Sequence, residues 1–409
     1  MNAFSESLGL LRTRRFGTFC FASLLSNIGT WAQQVAEPWL LLNLGASSFV
    51  IGLDAFAIAA PVWILTLVGG VLADRANRRR VIATCQSIQM LCPTLLVVLI
   101  GTGTVQPWIV VALSLIVGVT DALSMPSFQS IVPSIVKREQ IASALALNAT
   151  QFNLSRILGP AFAGVLMASI GTIGCFALNA ASYLPFLWVV LWILPRRTAA
   201  STAADRFDRR HPFAGIRDIA GQPHLRGALL TVLLTSMLCG PLIIFCPVLV
   251  KDILHGDASE FSLAIAAFGL GGLLGAVALL GVDVNRDRRQ LSSWFATSYG
   301  VITVLAALNP WFWGLPALLV LAGISMSVSN ISANSFLQSI APPQLRGRTV
   351  SLFMLAMRGG LSVGSLVTGM SVSLLGVQYA FLINGILAMA VCVIVGQEWI
   401  RSQLPKSST

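Results

Sequence analysis

The chain has 409 residues, of which 56% are hydrophobic and only 10% are charged, and its formal net charge is +11. A soluble globular domain does not need so large an apolar fraction, so the composition indicates a polytopic membrane protein. The seven cysteines lie inside apolar runs and the three histidines lie apart in polar connections, which argues against a disulfide framework and a metal site.

Apolar runs long enough to cross a membrane recur along the whole chain. About 20 residues span the hydrocarbon as a helix, so the sequence predicts an all-α membrane protein with twelve transmembrane helices. The predicted spans are 16–43, 50–72, 82–101, 107–132, 143–167, 172–194, 227–250, 260–282, 291–308, 312–334, 349–374 and 379–396.

The first predicted helix carries polar residues in an otherwise apolar run. Asn27, Trp31 and Gln34 follow a three-to-four-residue spacing, so they share one face of the helix. Glu37 lies in the outer third of this helix, and Asp54 lies at the start of the second. Acids inside membrane spans are costly and often functional, so both are candidates for proton coupling. The alternative for each is a solvated acid near the external surface.

A charged segment follows the second apolar run. GVLADRANRRR, from Gly70 to Arg80, places one acid and four arginines after a long apolar helix. This order predicts a charged hairpin at a membrane surface. The alternative is a plain positively charged loop, which would explain the arginines but neither Asp74 nor the glycine spacing.

Two further charges are predicted near the middle of the membrane. Asp121 lies about thirteen residues into the fourth helix and Arg156 about thirteen residues into the fifth, so at about 1.5 Å per residue both fall near the midplane. At this depth they could pair across adjacent helices. The structural alternative is a buried ion pair or an arginine-to-carbonyl contact that holds the bundle together, and the functional one is proton coupling. Arg358 in the eleventh helix is the other cation inside a predicted span.

The fifth helix contains the motif SRILGPAFAG. Pro160 removes one backbone hydrogen bond, while Gly159 and Gly164 let a neighbouring helix come close, so the motif predicts a kinked, tightly packed hinge. The alternative is that glycine and proline are simply common in membrane helices.

Polar and methionine side chains on four helices are candidates for the lining of a substrate cavity. A mostly apolar lining with a few hydrogen-bonding groups suits amphipathic organic molecules better than sugars or ions. The alternative is that the amides join helices to one another. The candidates are Asn27, Trp31, Gln34, Asn148, Gln151, Asn330, Asn334, Met354 and Met357.

The chain repeats itself, which predicts two related halves of six helices. Five residues of the first half recur at one constant offset in the second: Gly159, Gly164, Gly171, Phe176 and Asn179 correspond to Gly364, Gly369, Gly376, Phe381 and Asn384. The predicted domains are an amino-terminal bundle over 1–194, a cytoplasmic linker over 195–226 with a short interfacial helix, a carboxy-terminal bundle over 227–396 and a tail over 397–409.

The distribution of the lysines and arginines along the chain indicates which loops face the cytoplasm. If the amino terminus is cytoplasmic, 23 of the 26 lysines and arginines face the cytoplasm, which fixes both termini there. The net charge is therefore explained by topology and contact with anionic lipids. Nucleic-acid binding is not expected, because no segment outside the membrane is long enough for a folded basic domain.

The hairpin and the glycine-proline motif resemble those of the major facilitator superfamily. Three further segments resemble its exporter branch, which includes enterobactin and macrolide exporters: SNIGTWAQQVAEPW, PSFQSIVPSIV and RGRTVSLFMLAMRGG. The resemblance implies two pseudo-symmetric six-helix bundles and a cytoplasmic gate made by Gly70, Asp74, Arg75, Arg78 and Arg79. It also implies that Asp74, at the end of the second helix, contacts the start of the eleventh. Asn77 stands where that family usually has glycine, and asparagine tolerates a positive φ.

The resemblance implies a proton-coupled exporter, an antiporter of amphipathic organic molecules such as drugs or siderophores, in the bacterial inner membrane. Its partners are then the small organic substrate, protons and membrane lipids, and it acts as a monomer without a cofactor. An importer or facilitator with the same fold is the alternative, and a receptor or scaffold that does not transport is a remote one. An enzyme is not expected, because no nucleophile-base pair, metal cluster or phosphate loop is found.

Overall fold

The computed structural model describes residues 9–75, 77–129, 131–193, 223–282, 287–340 and 346–401. These residues form twelve long helices and contain no β-strand. The helices are α1 (Phe16–Asn43), α2 (Ser48–Arg75), α3 (Arg78–Gly101), α4 (Pro107–Gln129), α5 (Ile141–Ile170), α6 (Thr172–Trp188), α7 (Pro223–Leu238), α8 (Ala258–Ala278), α9 (Arg288–Leu308), α10 (Gly314–Ile340), α11 (Arg346–Leu375) and α12 (Val377–Arg401).

These helices confirm the predicted all-α membrane architecture. Within the described part of the chain, ten helices are long and apolar enough to cross a membrane. The helix α1 is not one of the ten, and we attribute this to its polar residues.

The seventh predicted span, 227–250, overlaps the apolar segment Leu225–Ile244, which is long enough to cross a membrane, but it is not one continuous helix. The helix α7 ends at Leu238, and two short helical turns follow, Pro241–Ile244 and Cys246–Val248. A π-helical turn over Leu249–Ile253 comes next. Proline at positions 241 and 247 lacks the N–H that would continue the helical hydrogen bonds, so the helix is interrupted there.

The described residues fall into two compact units, each with its own apolar core. The first contains the described residues of 1–46, 57–202 and 258–266, and the second contains the described residues of 47–56, 203–257 and 267–409. The predicted linker over 195–226 lies almost wholly outside the described residues, as does most of the tail, so the predicted domain bounds stay a prediction.

Each core is built around aromatic side chains at the ends of its helices. In the first unit Phe186 stacks on Phe128 with ring centroids 5.1 Å apart, and Phe19 packs against both rings. In the second unit Trp399 meets Phe336 edge to face at 5.2 Å. Buried aromatic pairs of this kind add to the apolar burial that holds each unit together.

The sequence repeat corresponds to matched positions in the two halves. Gly171 ends α5 with a φ of +76°, and Gly376 ends α11 with a φ of +86°. A positive φ favours glycine, which explains why this residue recurs at both turns. Asn179 and Asn384 are buried on α6 and α12, and each is hydrogen-bonded to a side chain of another helix.

Candidate transport site

Glu37 lies inside the first unit, where its carboxylate bonds to neutral groups from two helices. Its side chain is only 4% exposed, so the alternative of a solvated acid is wrong. The hydroxyl of Ser114 on α4 donates to Oε1 at 2.6 Å, and the Nε2 of Gln33 donates to Oε2 at 3.4 Å. Both of these hydrogen-bond partners of the Glu37 carboxylate are uncharged.

The bond to Gln33 extends into a buried chain of polar side chains between α1 and α6. Asn179 donates from Nδ2 to the Oε1 of Gln33 at 2.6 Å, and its own Oδ1 lies 3.5 Å from the hydroxyls of Thr30 and Ser182. Satisfied networks of this kind fix side-chain positions, because each buried polar group depends on the next. Glu37 therefore sits at one end of a fixed polar chain.

Asp121 and Arg156 do not form the ion pair that their equal depth predicts, so that prediction is wrong. Asp121 on α4 lies near Cys85 of α3 and Tyr183 of α6. The guanidinium of Arg156 instead lies over the ring of Trp31 on α1, 5.5 Å from its centroid. Equal depth in the membrane does not make two side chains neighbours, because each helix is also rotated about its own axis.

Asp54 is also buried, with 4% exposure, so it is not a solvated surface acid either. It lies in the segment of α2 that belongs to the second unit. In this segment Gly52 approaches the backbone of α11 at Ser365 and Gly369, and the N–H of Phe49 donates to the hydroxyl of Ser373 at 2.9 Å. Asp54 is thus an acid within a closely packed contact of two helices.

The glycine-proline motif packs α5 against two neighbours. Gly159 is buried against α1, where a Cβ would overlap the Cβ of Trp31, and a Cβ on Gly164 would lie 3.1 Å from the Cβ of Ser262 on α8. The helix runs through Pro160 without a break, from Ile141 to Ile170. The predicted close packing at the two glycines is therefore present, and the role of the motif as a hinge stays a prediction.

Part of the predicted polar lining is brought together on α1 and α5. The Nδ2 of Asn27 donates to the Oε1 of Gln151 at 3.3 Å, and the Nε2 of Gln151 donates to the Oδ1 of Asn148 at 3.3 Å. Trp31 is half-buried, and Gln34 is exposed. These side chains join two helices and present polar groups at the same time.

The candidates of the second unit are spread over α10 and α11. Asn330 and Asn334 are half-buried on α10, and Asn334 accepts a hydrogen bond from Gln338 at 3.1 Å. On α11, Met354 is 39% exposed, while Met357 and Arg358 are half-buried. Their role in a cavity lining stays a prediction.

The predicted cytoplasmic gate falls mainly outside what the structure describes. The side chains of Gly70, Asp74, Arg75 and Arg78 are not among the described ones, while that of Arg79 is half-buried. Asn77 has a φ of −69°, so the turn does not use the positive φ that asparagine tolerates. Its Oδ1 accepts from the N–H of Arg79 at 3.1 Å and caps α3.

In the second half of the chain, the start of α9 corresponds to the start of α3 after the charged hairpin. It carries an ion pair that the sequence analysis does not predict. The guanidinium of Arg289 donates to both carboxylate oxygens of Asp287, with the shortest distance 2.9 Å, and also to the carbonyl of Trp399 at 3.3 Å. It lies 5.8 Å from the ring centroid of Phe336. Burial tends to raise the pKa of Asp287, but the bonds from Arg289 outweigh it and hold the pKa below its ordinary value.

Comparison with known proteins supports the architecture and adds the family. A family profile described as transmembrane secretion effector matches residues 5–408. The chain is 23% identical to the staphyloferrin A transporter of Staphylococcus aureus over 92% of this chain and 94% of the relative. It is 27% identical to the multidrug efflux pump Tap of Mycolicibacterium fortuitum over 88% and 90%, and 25% identical to the enterobactin exporter EntS of Shigella boydii over 89% and 86%.

Solved structures show the same fold at lower sequence identity. A bacterial homologue of the human lysosomal transporter Spinster superposes with a TM-score of 0.74 at 15% identity, covering 97% of this chain and 99% of that one. The nucleoside transporter NupG superposes with a TM-score of 0.72 at 17% identity, covering 96% and 100%. At these low sequence identities, the structural similarity is evidence for the fold only.

Proposed function

Because this chain belongs to the transmembrane secretion effector family of major facilitator transporters, we propose that it is a proton-coupled exporter of amphipathic organic molecules, with Glu37 as the proton carrier. Membership in this family makes the chain a multi-pass membrane transporter and not an enzyme. The direction of transport, the coupling ion and its carrier are the proposed steps.

The observation that carries the proposal is the environment of the Glu37 carboxylate. It lies inside the membrane-spanning part of the first unit and bonds to Ser114 and Gln33, which are both neutral. Burying a charged group without a cation is costly. The free energy of this packed arrangement therefore depends on whether Glu37 carries a proton, which is the property that proton coupling requires.

Export, rather than import, is supported by the relatives. Tap and EntS are named as an efflux pump and an exporter, and each matches nearly nine-tenths of this chain. The importer with the same fold has no comparable support here. We place the protein in the bacterial inner membrane with both termini in the cytoplasm, because the cations predict that orientation.

Asp121 and Asp54 are the other proposed proton-binding groups. Asp54 is buried where α2 approaches α11, so its charge state also affects a contact between helices. Asp121 is half-buried on α4, the helix that supplies Ser114 to Glu37. Glu37 is preferred because its two hydrogen-bond partners are both neutral.

The test uses purified protein in proteoliposomes with an imposed pH gradient, and ethidium, erythromycin and a catecholate siderophore as probes. We expect the wild type to move at least one probe until a protonophore dissipates the gradient. Glu37→Gln should lose this accumulation but still exchange probe across the membrane without a gradient. Glu398→Gln, an exposed glutamate on α12, is the matched control and should behave as the wild type.

Three results would overturn parts of the proposal. Probe movement that ignores the gradient would exclude proton coupling. Gradient-driven accumulation by Glu37→Gln at the wild-type rate would exclude Glu37 as the carrier. Accumulation in the opposite direction to efflux, measured with vesicles of known orientation, would favour the importer.

A further inference from the structure

Arg156 forms an aromatic and cationic cluster with residues of α1 and α5. Its guanidinium lies 5.5 Å from the ring centroid of Trp31, and Trp31 meets Phe152 edge to face with centroids 6.0 Å apart. Arg156 is half-buried, and Phe152 is 43% exposed. The cluster therefore keeps part of its surface open.

Arg156 lies at a depth in the membrane where a cation without a neutralising partner is energetically costly. It is at the middle of α5, a helix of 30 residues. Within the described part of the chain, no carboxylate lies within ion-pair distance of its guanidinium. A stack on one indole offsets only part of the cost of placing an arginine at the centre of a membrane helix.

The surroundings indicate that the open side of Arg156 meets an aqueous cavity rather than lipid. Asn27, Asn148 and Gln151 form a chain of amides on the same two helices, and such groups are avoided on lipid-facing surfaces. The amides use only part of their hydrogen-bonding capacity on one another. They leave donors and acceptors for hydroxyl or carbonyl groups of a bound molecule.

The cluster is also fixed in position before any molecule binds. Gly159 lies one turn after Arg156, and its missing side chain lets the Cβ of Trp31 approach the backbone of α5. Trp31 is thereby held below the guanidinium. A fixed cation beside fixed aromatic rings is the arrangement that binds an acidic group attached to a flat apolar body.

We propose that the cluster of Arg156, Trp31 and Phe152 binds the substrate and selects molecules that carry an acidic group beside an aromatic ring. The acidic group pairs with the guanidinium of Arg156, and the ring packs against Phe152 and the free side of Trp31. This inference rests on the proposed export function, whose substrate class it narrows. A cationic amphiphile meets a like charge at the same place and binds more weakly.

The test compares two dyes that differ only at the acidic group. Rhodamine 110 has a free carboxylate, and rhodamine 123 is its methyl ester. Their binding to purified protein in lipid nanodiscs is measured by fluorescence polarisation, without any gradient. We expect the wild type to bind rhodamine 110 about tenfold more tightly, since its carboxylate accepts a charge-assisted hydrogen bond that the methyl ester does not match.

The variants test whether Arg156 is the source of this preference. Arg156→Gln should bring the two affinities to within about twofold, while Arg156→Lys keeps the charge and should retain part of the preference. Arg401→Gln removes an exposed arginine at the end of α12 and should bind as the wild type. The melting temperature of each variant shows whether the fold is retained, and Arg156→Lys provides the comparison if Arg156→Gln is unstable.

The proposal is overturned if the wild type binds both dyes equally, binds neither, or keeps its preference in Arg156→Gln. These outcomes are separable from failure of the exporter proposal, because binding is measured without transport. Gradient-driven movement of both dyes at equal rates would leave export standing and remove the selectivity for an acidic group. A preference for rhodamine 110 without any transport would leave the selectivity for an acidic group standing and remove the export proposal.

Discussion

The hydroxyl of Ser114 donates a hydrogen bond of 2.6 Å to the carboxylate of Glu37 and so joins α4 to α1 inside the first unit. Both side chains are buried, with Ser114 2% exposed. A change in the protonation of the Glu37 carboxylate therefore directly affects the packing of α1 against α4. This contact is the place where proton binding and helix packing meet in the proposed mechanism.

Ser114→Ala should reduce gradient-driven transport by about tenfold and lower the melting temperature. The substitution leaves a buried carboxylate oxygen without its donor, which costs about 1–3 kcal/mol. Ser114→Thr keeps the hydroxyl and is the matched variant, which should retain more of the activity. The rates are measured in proteoliposomes at one fixed pH gradient. A Ser114→Ala variant as fast and as stable as the wild type would show that this hydrogen bond has no role.

Gly159→Ala should destabilise the protein by about 1–3 kcal/mol, the usual cost of overpacking, and should slow transport. The new Cβ would overlap the Cβ of Trp31, so α1 and α5 must separate. The control is Gly272→Ala on α8, where a Cβ meets nothing within 4 Å. Thermal unfolding of both variants in detergent measures the difference. Equal melting temperatures would contradict the close packing that we assign to Gly159.

The helices could be predicted from the sequence because an apolar run of the right length is visible in the residues themselves. The break after α7 was missed, since average hydrophobicity over 227–250 hides the effect of Pro241 and Pro247 on the backbone. The cap by Asn77 was missed for a related reason. Asparagine both tolerates a positive φ and caps helices, and the sequence does not say which property is used.

The site could be predicted residue by residue but not contact by contact. Glu37 and Arg156 were found because charges are rare in apolar helices. The side chains that they contact could not be predicted, because serine is common in membrane helices and nothing in the sequence indicates that Ser114 faces Glu37. The pairing of Arg156 with Asp121 failed because depth along a helix leaves its rotation unknown, and Gly159 places Trp31 beside Arg156 instead.

Asp74→Asn should abolish most of the transport without loss of protein from the membrane. From the family resemblance, Asp74 is proposed to contact the amino terminus of α11, where an acid meets the positive end of the helix dipole. Such a contact is worth about 0.3–1 kcal/mol, weak enough to be made and broken in each cycle. The amide variant keeps the size of the side chain and removes its charge. Normal transport by Asp74→Asn, with equal membrane expression, would rule out this latch.

Asp287→Asn should lower stability at neutral pH and remove part of the loss of stability on acidification. The pKa of Asp287 is held below its ordinary value of about 3.8. A carboxyl whose folded pKa is depressed stabilises the protein above its unfolded pKa, and this contribution is lost as the pH falls through the folded value. The wild type should therefore lose the contribution only below about pH 4.

The asparagine in this variant still accepts the hydrogen bond from the N–H of Arg289 that caps α9, so the cap is retained and the charge is lost. Arg289 is 9% exposed and also bonds to the carbonyl of Trp399, so removing its carboxylate leaves a buried cation at the end of α12. The measurement is thermal unfolding between pH 3 and pH 7, with Asp252→Asn, an exposed aspartate, as the control. If both variants unfold as the wild type does across this range, the ion pair does not stabilise this end of the second unit.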